Sequence, residues 1–345
     1  LPADASKSSP AAVVFSCSGP TLTADERALF ADSNPLGFIL FARNCVEPGQ
    51  IRDLTAALRD SVGRSDAPVL IDQEGGRVQR LNPPHWRAAP SAQAFGRLAR
   101  TDRATARDAV RLNARMLAHE LLDLGIDVDC APVLDVPVPG AHGIIGDRAY
   151  GTDAVLIADL GRAACQGFLE GGVAPVIKHI PGHGRARSDS HLELPVVETS
   201  LDVLAESDFV PFVANADAPY AMTAHVVYTA VDPELPVTLS ELAIQSVIRE
   251  RLGFDGFLFS DDVGMKALFG PFGDRARAAL GAGCDGVLHC SGDFAEMREI
   301  AAAVPPLSAK ARERFASVRA KMRRPAPFDA KAAGERLGAL LGSIA

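Results

Sequence analysis

Short, nearly continuous apolar runs recur along the chain at 13–16, 37–41, 68–72, 126–130, 174–179, 220–225, 256–260 and 286–290. Alternation of apolar and polar positions, the mark of a strand with one wet face, is absent from them, as expected for parallel strands covered on both sides. Helical stripes lie between the runs. Ile51, Leu54, Leu58 and Val62 share one face of 50–62 behind Pro48, and Val110, Ala114, Leu117, Leu121 and Leu124 do so over 105–124 ahead of Gly125. A third stripe, Ile244, Val247, Ile248 and Leu252, follows Ser240 and stops at Gly253. Eight strand candidates alternating with helices predict a (β/α)8 TIM-type barrel, for which about 250 residues are typical. The surplus length falls in the stretches after strands three to six. A doubly wound open sheet is the alternative, because periodicity does not report closure. No linker, fixed-period repeat or low-complexity segment divides the chain, so 11–345 is expected to form one domain. Residues 1–10 are expected to be disordered or processed, and the tail after Pro305 to wrap the outside.

Composition adds limits. With 48% hydrophobic and 23% charged residues among 345, the chain has the make-up of a folded globular protein and not of a disordered one. A net charge of −8 argues against nucleic acid or an anionic membrane as partner. The basic cluster from Lys310 to Arg324 reads as a solvated helix face. No apolar run approaches the roughly 18 residues of a membrane-spanning helix, and LPADASKSSP has neither the basic start nor the apolar core of a secretory signal. Six cysteines are scattered without a CxxC pair, several inside apolar runs, which suits reduced, buried thiols. A soluble, cytoplasmic monomer is the expectation.

In a parallel barrel the ligand site is built where strands end, and polar residues gather there. Strand three runs into Asp72-Gln73-Glu74-Gly75-Gly76-Arg77. Strand five ends Lys178-His179 and continues through Pro181-Gly182-His183-Gly184 to Ser188-Asp189-Ser190-His191. Strand six ends Thr223-Ala224-His225, and strand seven Ser260-Asp261-Asp262. Any one of these can be a satisfied structural residue; four strands ending this way point to a site. A carboxylate fixed at a strand end, such as Asp261, is placed to attack a carbon electrophile. Lys178 and Arg148 either hold hydroxyls of a polar ligand or balance buried carboxylates. Asp189 and His191, two apart in a Gly- and Ser-rich loop, fit a carboxylate that orients an imidazole, or equally an Asx-turn beside a surface histidine.

His179, His183 and His191 with Asp189 also invite a metal reading, but neither an HxH strand pair nor an HExxH helix is present. Gly75-Gly76 belongs to neither GxGxxG nor GxxxxGK[ST], so a tight turn suffices for it. Ser16 and Ser260 lack the GxSxG elbow of a serine hydrolase. No metal or cofactor is expected.

Six stretches taken together, IDQEGGRVQRL (71–81), APVLDV (131–136), IIGDRAYG (144–151), KHIPGHGRARSDSH (178–191), AHVVYTAVDPELPVTLS (224–240) and FSDDVGMKAL (259–268), resemble the bacterial β-N-acetylhexosaminidases of glycoside hydrolase family three, in the family's order. The most specific element is KH-x-PGHG followed at fixed spacing by DSH. The resemblance implies a barrel of the type read from the strands and a retaining exo-acting glycosidase that removes terminal β-linked N-acetylglucosamine from peptidoglycan fragments in cell-wall recycling. It implies Asp261 as nucleophile, His191 as general acid/base where most glycosidases use a second carboxylate, and Asp189 as the group holding His191. Asp72, Arg80, Arg148, Lys178 and His179 match sugar-binding positions, and the partner is a small carbohydrate. Asp262 occupies a position the family varies and suits a structural carboxylate.

The chain departs from the family at Arg185-Ala186-Arg187, whose charges are expected to favour acidic or peptide-bearing substrates or to lower the pKa of His191. Gly264 departs too, where a loosened nucleophile loop is expected. The His191 loop is expected to be mobile on account of Gly182 and Gly184. Competing readings are a phosphorylase of the same family, a metal-dependent barrel hydrolase and a non-catalytic sugar-binding barrel.

Overall fold

A computed structural model describes residues 9–190, 193–322 and 324–342. Among them, eight parallel strands close into a barrel: β1 (Ala11–Phe15), β2 (Pro35–Leu40), β3 (Val69–Ile71), β4 (Val128–Asp129), β5 (Ala174–Ile180), β6 (Tyr220–Thr223), β7 (Phe257–Asp262) and β8 (Gly286–His289), each beside its sequence neighbours and β8 beside β1. Every apolar run of the sequence overlaps one of these strands. The reason for their continuous character is now visible, because each strand feeds two cores. Ala12, Val14, Leu36, Ile39, Leu70, Val128, Val176, Met222, Phe259 and Leu288 fill the barrel interior. Val13, Phe15, Phe38, Leu40, Val69, Ile71, Ile177 and Leu258 face outward to the helical layer.

That layer includes α1 (Ala24–Ser33), α2 (Pro48–Ser61), α3 (Arg103–Asp123), α4 (Ala154–Glu170), α5 (Ala243–Arg251), α6 (Phe272–Ala282) and α7 (Phe294–Ala303), with shorter helices elsewhere. Local signals set their ends: Thr23 and Glu26 form a capping box on α1, and Asp102 and Asp153 cap α3 and α4. The stripe behind Ser240 does form a helix, but one wound in the wider π manner, starting at Ala243.

The tail departs from expectation. Instead of only wrapping the outside, α8 (Ala309–Lys321) lies across the N-terminal mouth of the barrel. Leu307, Ala311 and Val318 join the interior core, and Phe315 meets Phe257 at 6.1 Å between ring centroids. The Leu307 N–H donates to the Pro10 carbonyl at 2.8 Å and the Ala12 N–H to the Pro305 carbonyl at 2.9 Å, so β1 and the tail share an edge. Pro10 thus belongs to the folded part of the 1–10 segment; residues 1–8 lie outside the described ones. After this plug, α9 (Ala330–Gly342) runs along α3 on the outside. Among the described residues the opposite mouth is the one this plug leaves open.

Candidate active site

At that mouth the chain after β3 folds into a small hairpin, 73–75 against 78–79. Gly75 and Gly76 make its turn with φ of +91° and +59°, and a Cβ on Gly75 would lie 2.4 Å from the Pro90 carbonyl oxygen. The double glycine is therefore a close-approach turn. The Gln73 side chain braces the hairpin, accepting the Arg80 and Leu81 N–H groups at 2.9 and 3.0 Å. Beneath it, Asp129 accepts the Gln73 N–H at 3.0 Å, and burial lifts its carboxyl to about 8, so it is neutral at pH 7.

The hairpin presents Asp72 and Glu74 to cations from three other places. Lys178, 2% exposed at the end of β5, puts Nζ 2.8 Å from Asp72 Oδ1 and 2.7 Å from Glu74 Oε1. Arg80 Nη2 reaches the second oxygen of Asp72 at 3.0 Å, and Arg148 grips Glu74 with Nε and Nη2 at 2.9 and 2.8 Å. Burial alone would raise both carboxyl pKa values. Lys178 first, then Arg80 or Arg148, overcome it and hold both carboxyls below the usual range. Burial likewise works against the Lys178 ammonium, and Asp72 and Glu74 hold its pKa up. Lys178 and Arg148 therefore do balance buried carboxylates, one of the two roles open to them from sequence.

His179, joined to Lys178 by a cis peptide bond, is held by Asp135, a fully buried residue in the loop after β4. The Asp135 carboxylate accepts hydrogen bonds from His179 Nδ1–H at 2.7 Å and from the backbone N–H groups of His179 and His183 at 3.2 and 2.7 Å. With Nδ1 so engaged, Nε2 of His179 is the ring nitrogen left for a ligand. His183 sits beside it, ring centroids 5.7 Å apart, with Nε2 3.1 Å from Ser190 Oγ. Burial, aided by His179, pushes His183 down to about 4, which keeps it neutral.

Gly182 and Gly184 let the start of this loop pack closely. A Cβ on Gly184 would lie 2.0 Å from the Val136 carbonyl oxygen, and the Tyr228 hydroxyl donates to the Gly182 carbonyl. Arg185 is spent on the fully buried Asp208 at 2.6 Å and on Ser207 at 3.0 Å, which leaves only Arg187 exposed toward solvent. The acidic-substrate reading thus loses one of its two charges. Asp189 is half-buried and lies outside the residues lining the cavity; His191 falls outside the described residues, and with it the geometry of the Asp189–His191 pair.

From β7, Asp261 faces the same cavity as the cradle. Its Oδ1 accepts the Asp262 N–H at 2.8 Å. Asp262 turns to the backbone, accepting from Gly264 at 2.8 Å and Cys290 at 3.2 Å, and burial, with the charge of Asp261 adding to it, raises its pKa. Gly264 is thus part of a tight turn around that carboxylate. The cavity measures about 270 Å³ and is lined by Asp72, Glu74, Arg80, Arg148, Lys178, His179 and Asp261 on its ionic side. Ile39, Phe41, Ile144, Ile145, Met222, Met265 and Leu288 form its apolar side. Arg80 lies 5.1 Å over the Phe41 ring, which joins the two halves. Among the described residues no three His, Cys, Asp or Glu side chains converge as metal ligands, and no helix is long and apolar enough to cross a membrane.

Glu74, Gln73, Asp135 and Ser190 were not singled out from sequence. Asp135 carried a signal, a carboxylate closing the apolar run APVLDV, and Glu74 another, a second acid two residues beyond Asp72.

Residues 13–324 match the glycosyl hydrolase family 3 N-terminal domain. A beta-hexosaminidase from Aromatoleum aromaticum is 37% identical over 321 residues, 92% of this chain and 89% of that one. Another from Alkalilimnicola ehrlichii is 42% identical over 277 residues, 79% and 78% of the two chains. Among solved structures, native NagZ from Neisseria gonorrhoeae superposes with a TM-score of 0.85 at 31% identity, covering 96% of this chain and 98% of that one. The same protein in complex with N-trifluoroacetyl-D-glucosamine gives the same values.

Proposed function

The chain belongs to glycosyl hydrolase family 3 and is a glycoside hydrolase; on that premise we propose that it is a retaining exo-β-N-acetylglucosaminidase, a single catalytic domain acting as a monomer. The observation that carries this reading is the meeting of Asp261 with Asp72, Lys178 and His179 in one cavity of about 270 Å³. Ligand cavities run from about 300 to 1,000 Å³, so this one suits a terminal sugar better than the middle of a chain. Relatives named beta-hexosaminidase and a neighbour that takes an N-acylated glucosamine support the same sugar.

In the proposed reaction, the Asp261 carboxylate attacks the anomeric carbon as the glycosidic C–O bond breaks. His191 gives its proton to the departing oxygen. Water, losing a proton to His191, then displaces Asp261 and frees the sugar with its β configuration kept. Asp189 holds His191 in the tautomer this requires. Asp72, Arg80, Lys178 and His179 grip ring hydroxyls, and Arg148 acts mainly by fixing Glu74. Their ions are paired before substrate arrives, so little reorganisation opposes the oxocarbenium-like state. The substrates are fragments of cell-wall peptidoglycan ending in N-acetylglucosamine, met in the cytoplasm.

The test is release of 4-nitrophenol from the β-N-acetylglucosaminide and the β-glucoside, with and without chelator and phosphate. Hydrolysis of the acetylated sugar alone, indifferent to chelator and lost in Asp261→Ala, is expected. Sugar 1-phosphate as product would replace hydrolysis by phosphorolysis, and full activity of Asp261→Ala would remove that residue from the mechanism.

A further inference from the structure

The excursion after β6 leaves the barrel at His225 and returns at Thr238, in the short turn Val237–Leu239. Two sets of bonds close it: the Val237 N–H donates to the Val226 carbonyl at 2.9 Å, and the Ser240 hydroxyl to Asp232 at 2.6 Å. The returned Thr238 is fully buried between two residues of the strand end, Thr223 and His225, themselves fully buried. Thr238 Oγ1 lies 2.7 Å from Thr223 Oγ1 and 2.7 Å from His225 Nδ1.

The two ends of this row reach β7. The Asp261 N–H meets Thr223 Oγ1 at 3.3 Å, and His225 Nε2 meets the Asp262 carbonyl at 2.9 Å. The ends fix their own bonds, since a backbone N–H only donates and a carbonyl only accepts, and the inner bonds follow if Thr238 gives its one proton to the nearer acceptor. His225 must carry its proton on Nε2, so in the neutral ring Nδ1 accepts. The hydroxyl that supplies it is Thr238, whose other acceptor, the Ala224 carbonyl, is more distant at 3.2 Å. Thr223 in turn donates to Thr238 and receives the Asp261 N–H.

We propose that Thr223, Thr238 and His225 are positioning residues that hold the backbone of Asp261 and Asp262, so that the Asp261 carboxylate stands at a fixed point over the sugar. The proposal rests on Asp261 being the nucleophile. The row holds the Asp261 N–H at one end and the Asp262 carbonyl at the other, so it clamps the backbone before and after the Asp261–Asp262 peptide, and its three residues are fully buried. Misplacement of a reacting group by about 1 Å can cost about 10²-fold in rate, and a site is as exact as the shell that supports it.

The experiment compares Thr238→Val, Thr223→Val and Thr238→Ser with wild type on the 4-nitrophenyl β-N-acetylglucosaminide, with melting temperatures measured alongside and Asp261→Ala as reference. Valine keeps the shape and removes the hydroxyl. Both valine variants are expected to lose about 10- to 100-fold in kcat with KM changed less than about twofold, and Thr238→Ser to recover most of the loss. If Thr238→Val does not fold, Thr223→Val carries the comparison. An unchanged kcat in a folded valine variant, a loss confined to KM, or a loss that serine does not repair would overturn the proposal while leaving an inactive Asp261→Ala to uphold the nucleophile. An active Asp261→Ala would instead sink the nucleophile reading and this proposal with it.

Discussion

Replacing Lys178 by Met keeps the apolar stem and deletes one buried charge from the cradle. The ammonium lies 2.8 Å from Asp72 and 2.7 Å from Glu74. With charge centres about 4 Å apart and an effective dielectric near 20, each contact is worth about 4 kcal/mol, set against several kcal/mol for burying the ion. The assembled cradle therefore contributes little net stability. Deleting the cation alone is a different matter, because two carboxylates stay desolvated with one partner each, and breaking a buried pair in this way costs about 3–5 kcal/mol. In a chain of this size that lowers the melting temperature by about 5–10 °C. The pH dependence has a definite sign. Burial raises both carboxyls and Lys178 is the largest influence opposing it, leaving both depressed. A depressed carboxyl stabilises fully above its unfolded pKa of about 4 and loses that contribution as pH falls through the folded value. Wild type should thus hold its melting temperature down to about pH 4 as far as these groups are concerned. Lys178→Met should begin to lose it at higher pH, where burial faces only Arg80 and Arg148. Thermal unfolding followed by circular dichroism from pH 4 to 8 reads both effects. Melting curves within about 1 °C of wild type at every pH would refute the cradle argument.

Asp135→Asn should lower kcat/KM by about 10- to 100-fold with the fold intact, because the amide no longer fixes the Nδ1 proton of His179; steady-state kinetics beside a melting curve decide it. Gly184→Ala should abolish turnover by pushing the loop off Val136, whereas Gly338→Ala, which meets nothing within 4 Å, should keep activity and gain up to about 1 kcal/mol of stability. Cys290 lines the cavity but burial raises its thiol pKa well above the ordinary value. It should therefore resist iodoacetamide at pH 7.5 in the folded protein and react in denaturant, as peptide mass spectrometry would record.

The strands were legible because a parallel strand buried on both faces writes itself as an unbroken apolar run, and Asp72, Lys178, His179 and Asp261 because each sits at or just past the end of such a run. What could not be read were relations between distant segments. Nothing in KHIPGHG states that its glycines approach Val136 and Asp208 closely. The same limit explains Asp135, Glu74 and the Thr223–Thr238–His225 row, which exist only once loops after different strands converge. Arg185 is a further case, since its pairing with the buried Asp208 joins segments that lie 23 residues apart. The tail misled for a related reason, since α8 shows only a modest apolar stripe and its burial depends on the barrel mouth it fills.

That plug bears on how the protein is made. Its bonds tie the first strand to residues 305–307, so segments on opposite sides of the whole barrel sequence complete one another. On a ribosome β1 emerges long before either β8 or α8 exists, and its edge and the lower interior around Phe257 and Tyr220 stay uncovered through most of synthesis. Contacts so far apart in sequence form late and slowly. The nascent barrel is therefore an open half-cylinder until α8 is delivered, and the mouth farthest from the cavity is covered only after all eight strands exist.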